Sequence, residues 1–148
     1  MRAVLTRVTE ASIEIDGKIY SEIKMGYLVL LGVFESDTPE DVEQLADKIT
    51  KLRVFSDENG KMNLNLETVG GSILIVSQFT LCADLSSRRP GFTKAARPDF
   101  AVSLYKFFCE KCEAAGFEVK TGCFGANMKV KSINDGPVTI IFDTQNGG

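Results

Sequence analysis

The chain has 148 residues, 44% hydrophobic and 25% charged, with a formal net charge of −3. This is the composition of a soluble globular chain, and the length fits a single domain, residues 1–148, large enough to bury a core without disulfides or metal. The pI of about 5.1 excludes a protein that grips a long stretch of nucleic acid. The absence of histidine excludes Ser-His-Asp and Cys-His catalysis, an imidazole base and His-based zinc sites.

No apolar run reaches the length of a membrane-spanning helix. Residues 1–7 read as the start of a strand, with neither the apolar core nor the cleavage site of a secretory leader, which points to the cytoplasm. Residues 2–9 alternate Ala3, Leu5 and Arg7 against Val4, Thr6 and Val8. Segments 12–15 and 18–23 flank Asp16-Gly17, a hairpin signal. Residues 27–34 are a nearly continuous apolar run, as in a buried strand. Thr38 is placed to cap a helix with Pro39 in its first turn, and Val42, Leu45, Ala46, Ile49 and Leu52 recur at helical spacing.

Asp57-Glu58-Asn59-Gly60 and Gly70-Gly71 read as turns, with a strand over 73–81. The stretch 82–98 is irregular and carries Arg88, Arg89, Lys94 and Arg97 against one acid, Asp84. Its length is one at which loops tend to be functional. A second helix spans 98–115, stopped by Gly116. Strands follow over 117–121, 129–133 and 138–142, the last two separated by a turn at Asn134-Asp135-Gly136-Pro137. The tail, 144–148, reads as disordered. Strands dominate early and do not alternate regularly with helices. The class is therefore α+β, a mainly antiparallel curved sheet or barrel with two principal helices.

Cys109 and Cys112 form a C-x-x-C late in the second helix, away from the helix N-terminus where a redox thiol is activated. A zinc site would have to recruit Cys82 and Cys123, which form no second close pair. The four cysteines therefore read as small buried thiols, and neither a cofactor nor a metal is expected.

Two stretches invite a chemical reading. In Ser77-Gln78-Phe79-Thr80-Leu81, polar residues interrupt an apolar run, at a cost unless they are paired. The plain alternative is an edge strand with Ser77, Gln78 and Thr80 outward and Phe79 inward. In Asn134-Asp135-Gly136-Pro137-Val138-Thr139, the plain reading is a turn. The sharper one is a cis Gly136-Pro137 bond presenting its carbonyls at an unusual angle.

These segments, with Met1-Arg2-Ala3-Val4, Arg7-Val8, Arg88-Arg89-Pro90 followed by Phe92, and Phe124-Gly125-Ala126-Asn127-Met128, resemble the D-aminoacyl-tRNA deacylases. They do so in family order to about Asp143. The resemblance implies a homodimeric ester hydrolase that removes D-amino acids, and glycine, from tRNA in proofreading. Its active site would lie at the subunit interface. Ser77, Gln78, Phe79 and Thr80 would line the pocket, and backbone N–H groups around Phe79 and Thr80 would form an oxyanion site. Phe124 and Met128 would hold the terminal adenosine. Gly136-Pro137 would enter from the other subunit as a cis dipeptide that rejects L-aminoacyl esters. The tRNA 2′-OH would assist the chemistry in place of a protein base, with Thr80 as a nucleophile ranked below that route. Asn127 stands where the family commonly has Asp, and Ser87 where it has Gly.

Arg88, Arg89, Lys94 and Arg97 are candidate contacts for acceptor-end phosphates, against the alternative of a solvated loop. Competing readings of the whole are a dimeric nucleic-acid-binding module without catalysis, a related L-alanyl-tRNA deacylase, and a cysteine-based redox protein.

Overall fold

The computed structural model describes residues 1–146. β1 (Arg2–Ile15) and β2 (Lys18–Ile23) form the hairpin expected around Asp16-Gly17. Both turn residues take positive φ, 52° and 78°, as a two-residue type I′ turn requires. Residues 2–9 and 12–15 belong to one strand rather than two, because register shifts around Val8 and after Ile13 bend β1 without ending it.

β3 (Gly26–Gly32) pairs antiparallel with the first half of β1, on the same edge as β2. The chain then leaves through α1 (Pro39–Thr50), the small hairpin of β4 (Phe55–Ser56) and β5 (Met62–Leu64), and α2 (Leu66–Val69), a short helix not expected from the pattern. This long crossover returns the chain to the end from which β3 began, so β6 (Ser72–Ser77) pairs parallel to β3. A second crossover through α3 (Pro98–Ala114) brings β7 (Val119–Thr121) parallel to β6. β8 (Lys129–Asp143) lies antiparallel along the other edge of β1. The sheet is thus mainly antiparallel, as expected, with the β3–β6–β7 portion parallel. The Ser21 hydroxyl donates to the Thr121 carbonyl at 2.8 Å and draws β2 toward β7, leaving the sheet nearly closed.

α1 starts as its sequence requires. The Thr38 N–H donates to Asp41 Oδ2 at 2.9 Å, and Glu40 and Asp41 sit at the positive end of the helix dipole. Val42, Leu45 and Ile49 pack with Leu104 and Phe108 of α3 against Leu5, Val29, Ile73 and Ile75 of the sheet. Burying a side chain of this kind contributes about 1.5–3 kcal/mol. A second core of Val8, Ile13, Ile23, Leu28, Leu74 and Val76 fills the inside of the curve. Gly26 lets β3 start against β6, since a Cβ there would lie 1.9 Å from the Ser72 carbonyl oxygen.

Met1 is wholly buried, and its ammonium donates to Asp37 Oδ1 at 2.5 Å and Thr144 Oγ1 at 2.8 Å. The Thr144 N–H donates to the Met1 carbonyl at 3.0 Å. Residues Thr144–Asn146 therefore form an ordered 3₁₀ turn rather than a disordered tail. The remainder of that expectation, 147–148, lies outside the described residues. Cys82, Cys109 and Cys112 are buried as expected, whereas Cys123 is exposed.

Candidate active site

β6 carries the segment Ser77–Thr80 only as far as Ser77. The Gln78 N–H still donates to the Leu31 carbonyl at 2.8 Å, and the chain then turns into a 3₁₀ helix, Phe79–Cys82. The edge-strand reading fails because the chain leaves the sheet after Ser77. β7 pairs only with Ile73–Ile75 of β6, the 3₁₀ helix replaces strand from Phe79, and Phe79 points outward, 56% exposed. The first N–H groups of a helical turn have no acceptor inside it. Those of Phe79 and Thr80 accordingly enter no backbone hydrogen bond among the described residues. The Gln78 amide donates to Thr80 Oγ1 at 2.6 Å, so that hydroxyl already has a partner.

A cleft of about 680 Å³ opens beside this turn. Ser77, Gln78 and Phe79 form one wall, and Phe124 to Met128 another. Sequence reasoning did not find the rest: Val33 and Val76 from the sheet, Phe92, Ala95 and Ala96 from the irregular segment, Pro98 and Ala101 from the start of α3, and Val130 from β8. Most of these are apolar residues, indistinguishable from core in one dimension. Phe92 alone had a signal, its place after Arg88-Arg89-Pro90. Phe79 and Phe92 meet at the rim, ring centroids 5.0 Å apart at 69°. Phe124 packs at 6.0 Å on Tyr105, whose hydroxyl donates to the Ile75 carbonyl at 2.7 Å. Burial pushes the Tyr105 phenol well above its usual range, so it serves as a neutral donor that supports the wall.

Thr80, Gly136 and Pro137 do not line the cleft. The expected turn at 134–137 is instead part of continuous β8, and the Gly136-Pro137 bond is cis. Both residues are exposed in this chain. Arg7 lies beneath them. Its Nε donates to the Asp135 carbonyl at 3.2 Å and its Nη1 to the Val54 carbonyl at 2.6 Å. On its other side β8 has no partner strand among the described residues.

Arg88, Arg89, Lys94 and Arg97 are exposed, and none has an ion pair among the described residues. Residues 84 and 91 bridge at the base of their loop, the Asp84 N–H donating to the Gly91 carbonyl at 2.7 Å. Among the described residues no Cys, Asp and Glu side chains gather in a group that could hold a metal. Burial raises the Cys109 and Cys112 thiols to about 12, opposite to the shift a reactive thiol needs.

The family model described as D-Tyr-tRNA(Tyr) deacylase matches residues 4–143. The D-aminoacyl-tRNA deacylase of Parabacteroides distasonis is 53% identical over 148 residues, 99% of each chain. That of Chloroflexus aurantiacus is 54% identical over 145 residues, 97% of this chain and 91% of its own. Among solved structures, the c-Myc DNA Unwinding Element Binding Protein superposes with a TM-score of 0.92 at 40% identity, covering 97% of this chain and 98% of its own. A probable eukaryotic D-amino acid tRNA deacylase superposes with a TM-score of 0.83 at 18% identity, covering 95% and 97%, which is a likeness of fold.

Proposed function

The chain belongs to the D-Tyr-tRNA(Tyr) deacylase family, and from that premise we propose how its cleft hydrolyses D-aminoacyl-tRNA. The protein is a D-aminoacyl-tRNA deacylase, an enzyme of translation proofreading, and its substrate is the ester at the end of a charged tRNA. We place it in the cytoplasm, where that substrate is made. No helix among the described residues is long and apolar enough to cross a membrane.

One observation carries the mechanism: Ser77, Gln78 and Phe79 share a cleft with Phe124 and Met128, at a helical turn whose first N–H groups are unclaimed. The terminal adenosine sits against Phe124 and Met128. The ester carbonyl lies toward the N–H groups of Phe79 and Thr80. A single oxyanion donor is worth about 2.7–4 kcal/mol, and an activated ester needs little more. Without histidine the protein has no evident base for Thr80. The ribose 2′-OH, already next to the ester, orients and assists the attacking water. The water oxygen bonds the carbonyl carbon, the acyl C–O3′ bond breaks, and the 3′-oxygen takes up a proton as the free D-amino acid leaves. Arg88, Arg89, Lys94 and Arg97 meet acceptor-end phosphates.

Chirality comes from a second copy. Gly136 and Pro137 are exposed and lie outside the cleft of their own chain, on a strand with an open edge, and open edges invite pairing. In the homodimer this dipeptide reaches the partner's cleft and fills the space an L side chain would need. The wall is backbone, so it accepts many D side chains. Glycine has nothing to clash and is cleaved too.

Deacylation of D-Tyr-, L-Tyr- and Gly-tRNA tests this account. The D and glycyl esters are cleared first, and rapid loss of L-Tyr-tRNA at the same enzyme level would refute the chiral wall. A D-ester on a 2′-deoxy terminal adenosine is cleaved far more slowly, whereas Thr80→Val retains activity within a few-fold. The reverse pattern would assign the chemistry to Thr80. A gel shift on duplex DNA in moderate salt checks the rival DNA-binding reading.

A further inference from the structure

We propose that Phe92, together with Phe79, forms a stacking bracket for the unpaired nucleobase that precedes the terminal adenosine of a bound RNA strand. The basic segment carrying Phe92 holds that strand's phosphates. The proposal rests on the placement of the terminal adenosine in the cleft given above.

Phe92 is not a loose loop residue. The arm it follows is closed at residues 84 and 91 by two backbone bonds, of 2.7 and 2.9 Å. Beyond Phe92, the Glu35 N–H donates to the Lys94 carbonyl and the Ala96 N–H to the Val33 carbonyl, each at 2.9 Å. The segment is thus closed on itself before the ring and tied, after it, to the residues that follow β3. Yet Phe92 is 36% exposed and Phe79 56% exposed. Their edge-to-face contact leaves a face of each ring to solvent at the rim, while Val76 and Ala101 deeper in the cleft are buried.

The charges identify what covers them. Arg88, Arg89, Lys94 and Arg97 lie on the same segment, exposed and without ion pairs among the described residues. The one acid of the arm, Asp84, accepts from the Ser86 N–H at 2.9 Å, and the Lys94 charge favours its carboxylate, which leaves Arg88, Arg89 and Arg97 as the cations for the phosphates. Exposed aromatic faces beside unpaired cations are how proteins hold single-stranded nucleic acid, with bases on the rings and phosphates on the cations. A duplex offers its edges and backbone but no free base face. A strand whose last nucleoside lies in the cleft leaves it over the rim, so the next base meets Phe92 and the next phosphates meet Arg88 and Arg89.

The test is a coupling cycle in binding, read by fluorescence anisotropy and independent of turnover. The probes are a labelled RNA oligonucleotide ending in C-C-A and the same strand abasic at the penultimate position. The proteins are wild type, Phe92→Ala and Phe92→Trp. Wild type loses about tenfold in affinity on base removal, the scale of one base–aromatic stack. Phe92→Ala loses about tenfold on the intact strand and little more on the abasic one, while Phe92→Trp binds as wild type. Arg88→Ala lowers affinity for both strands alike and reduces the log–log salt slope by about 0.7. Two results would overturn the bracket: Phe92→Ala within twofold of wild type on the intact strand, or fully additive losses. If Phe92→Ala fails to fold, Phe92→Leu replaces it, read by the same criteria. Deacylation of D-Tyr-tRNA by wild type is scored separately, so its failure counts against the proposed function and an additive cycle counts against the bracket.

Discussion

Arg7 and Asp135 meet at a break in the β1–β8 ladder. Thr6 pairs with Thr139 and Val8 with Asn134, so residues 135–138 face the single residue Arg7. Backbone pairing cannot span that mismatch, and the arginine side chain replaces it. Its guanidinium bonds the Asp135 and Val54 carbonyls, lies 3.4 Å from Asp135 Oδ2, and sits 5.9 Å over the Phe55 ring. Arg7 is only 8% exposed. The stretch holding Gly136 and Pro137 is thus supported from below by one planar cation.

Arg7→Lys should therefore both destabilise the fold and loosen the strand. An ammonium keeps the charge but cannot reach two carbonyls in one plane. A lost hydrogen bond to a charged group costs about 1.5–3 kcal/mol. The expected result is a lower thermal midpoint with a reduced ratio of D- to L-ester cleavage. Unchanged values of both would show that Arg7 positions nothing.

Gly136→Ala is a sharper probe of the same stretch. Gly136 has a φ of 118°, and a Cβ there would lie 2.9 Å from Arg7 Nη2 and 3.1 Å from the Val138 nitrogen. A non-glycine residue held in such a region costs on the order of 1–3 kcal/mol. Urea unfolding should show a loss of that size, and deacylation should fall along with it. A neutral variant would mean the strand relaxes freely.

The thiols should divide by burial. Cys123 is exposed and reacts with a thiol reagent in the native protein, while Cys82, Cys109 and Cys112 react only on unfolding. Burial raises Cys82 to about 11 and Cys109 and Cys112 to about 12 from an ordinary 9.0. The unfolded chain gives up these protons first, so it binds fewer of them above pH 9. Their contribution to stability is complete below that pH and declines as pH rises toward 12. Alkaline melting curves of wild type and Cys112→Ala should differ in slope over that window. More than one thiol reacting in the native protein would contradict the assignment.

Asp37→Ala removes the partner of a buried cation. Asp37 accepts from the Met1 ammonium through one oxygen and from the Phe34 N–H at 2.7 Å through the other. Breaking a buried pair on one side costs roughly 3–5 kcal/mol, since the remaining charge stays desolvated. Calorimetry should show a drop of that order. A change below about 1 kcal/mol, the level of an exposed pair, would place this pair at the surface.

Local chemistry alone determined a good part of this protein. The φ preferences at Asp16-Gly17 specify the first hairpin, and Thr38, Pro39 and the apolar spacing after them specify α1. The absence of histidine narrows the chemistry before any fold is known. Polar residues in an apolar run pointed to Ser77–Thr80, and the ordered motifs pointed to the family. Those signals act within a few residues, where a single chain can be read directly.

Tertiary structure decided what depends on distant segments meeting. Where β6 ends depends on the segments packed around it. Its turn into a 3₁₀ helix after Ser77 set Phe79 outward and left its N–H and that of Thr80 unclaimed by the backbone. A Gly-Pro turn became a continuous strand because Arg7, far away in sequence, bridges the gap. Phe92 reads as one more aromatic in a loop until the fold sets it against Phe79 at the rim of a cleft. Periodicity records which face of an element is apolar, but the partner of that face is a property of the assembled chain.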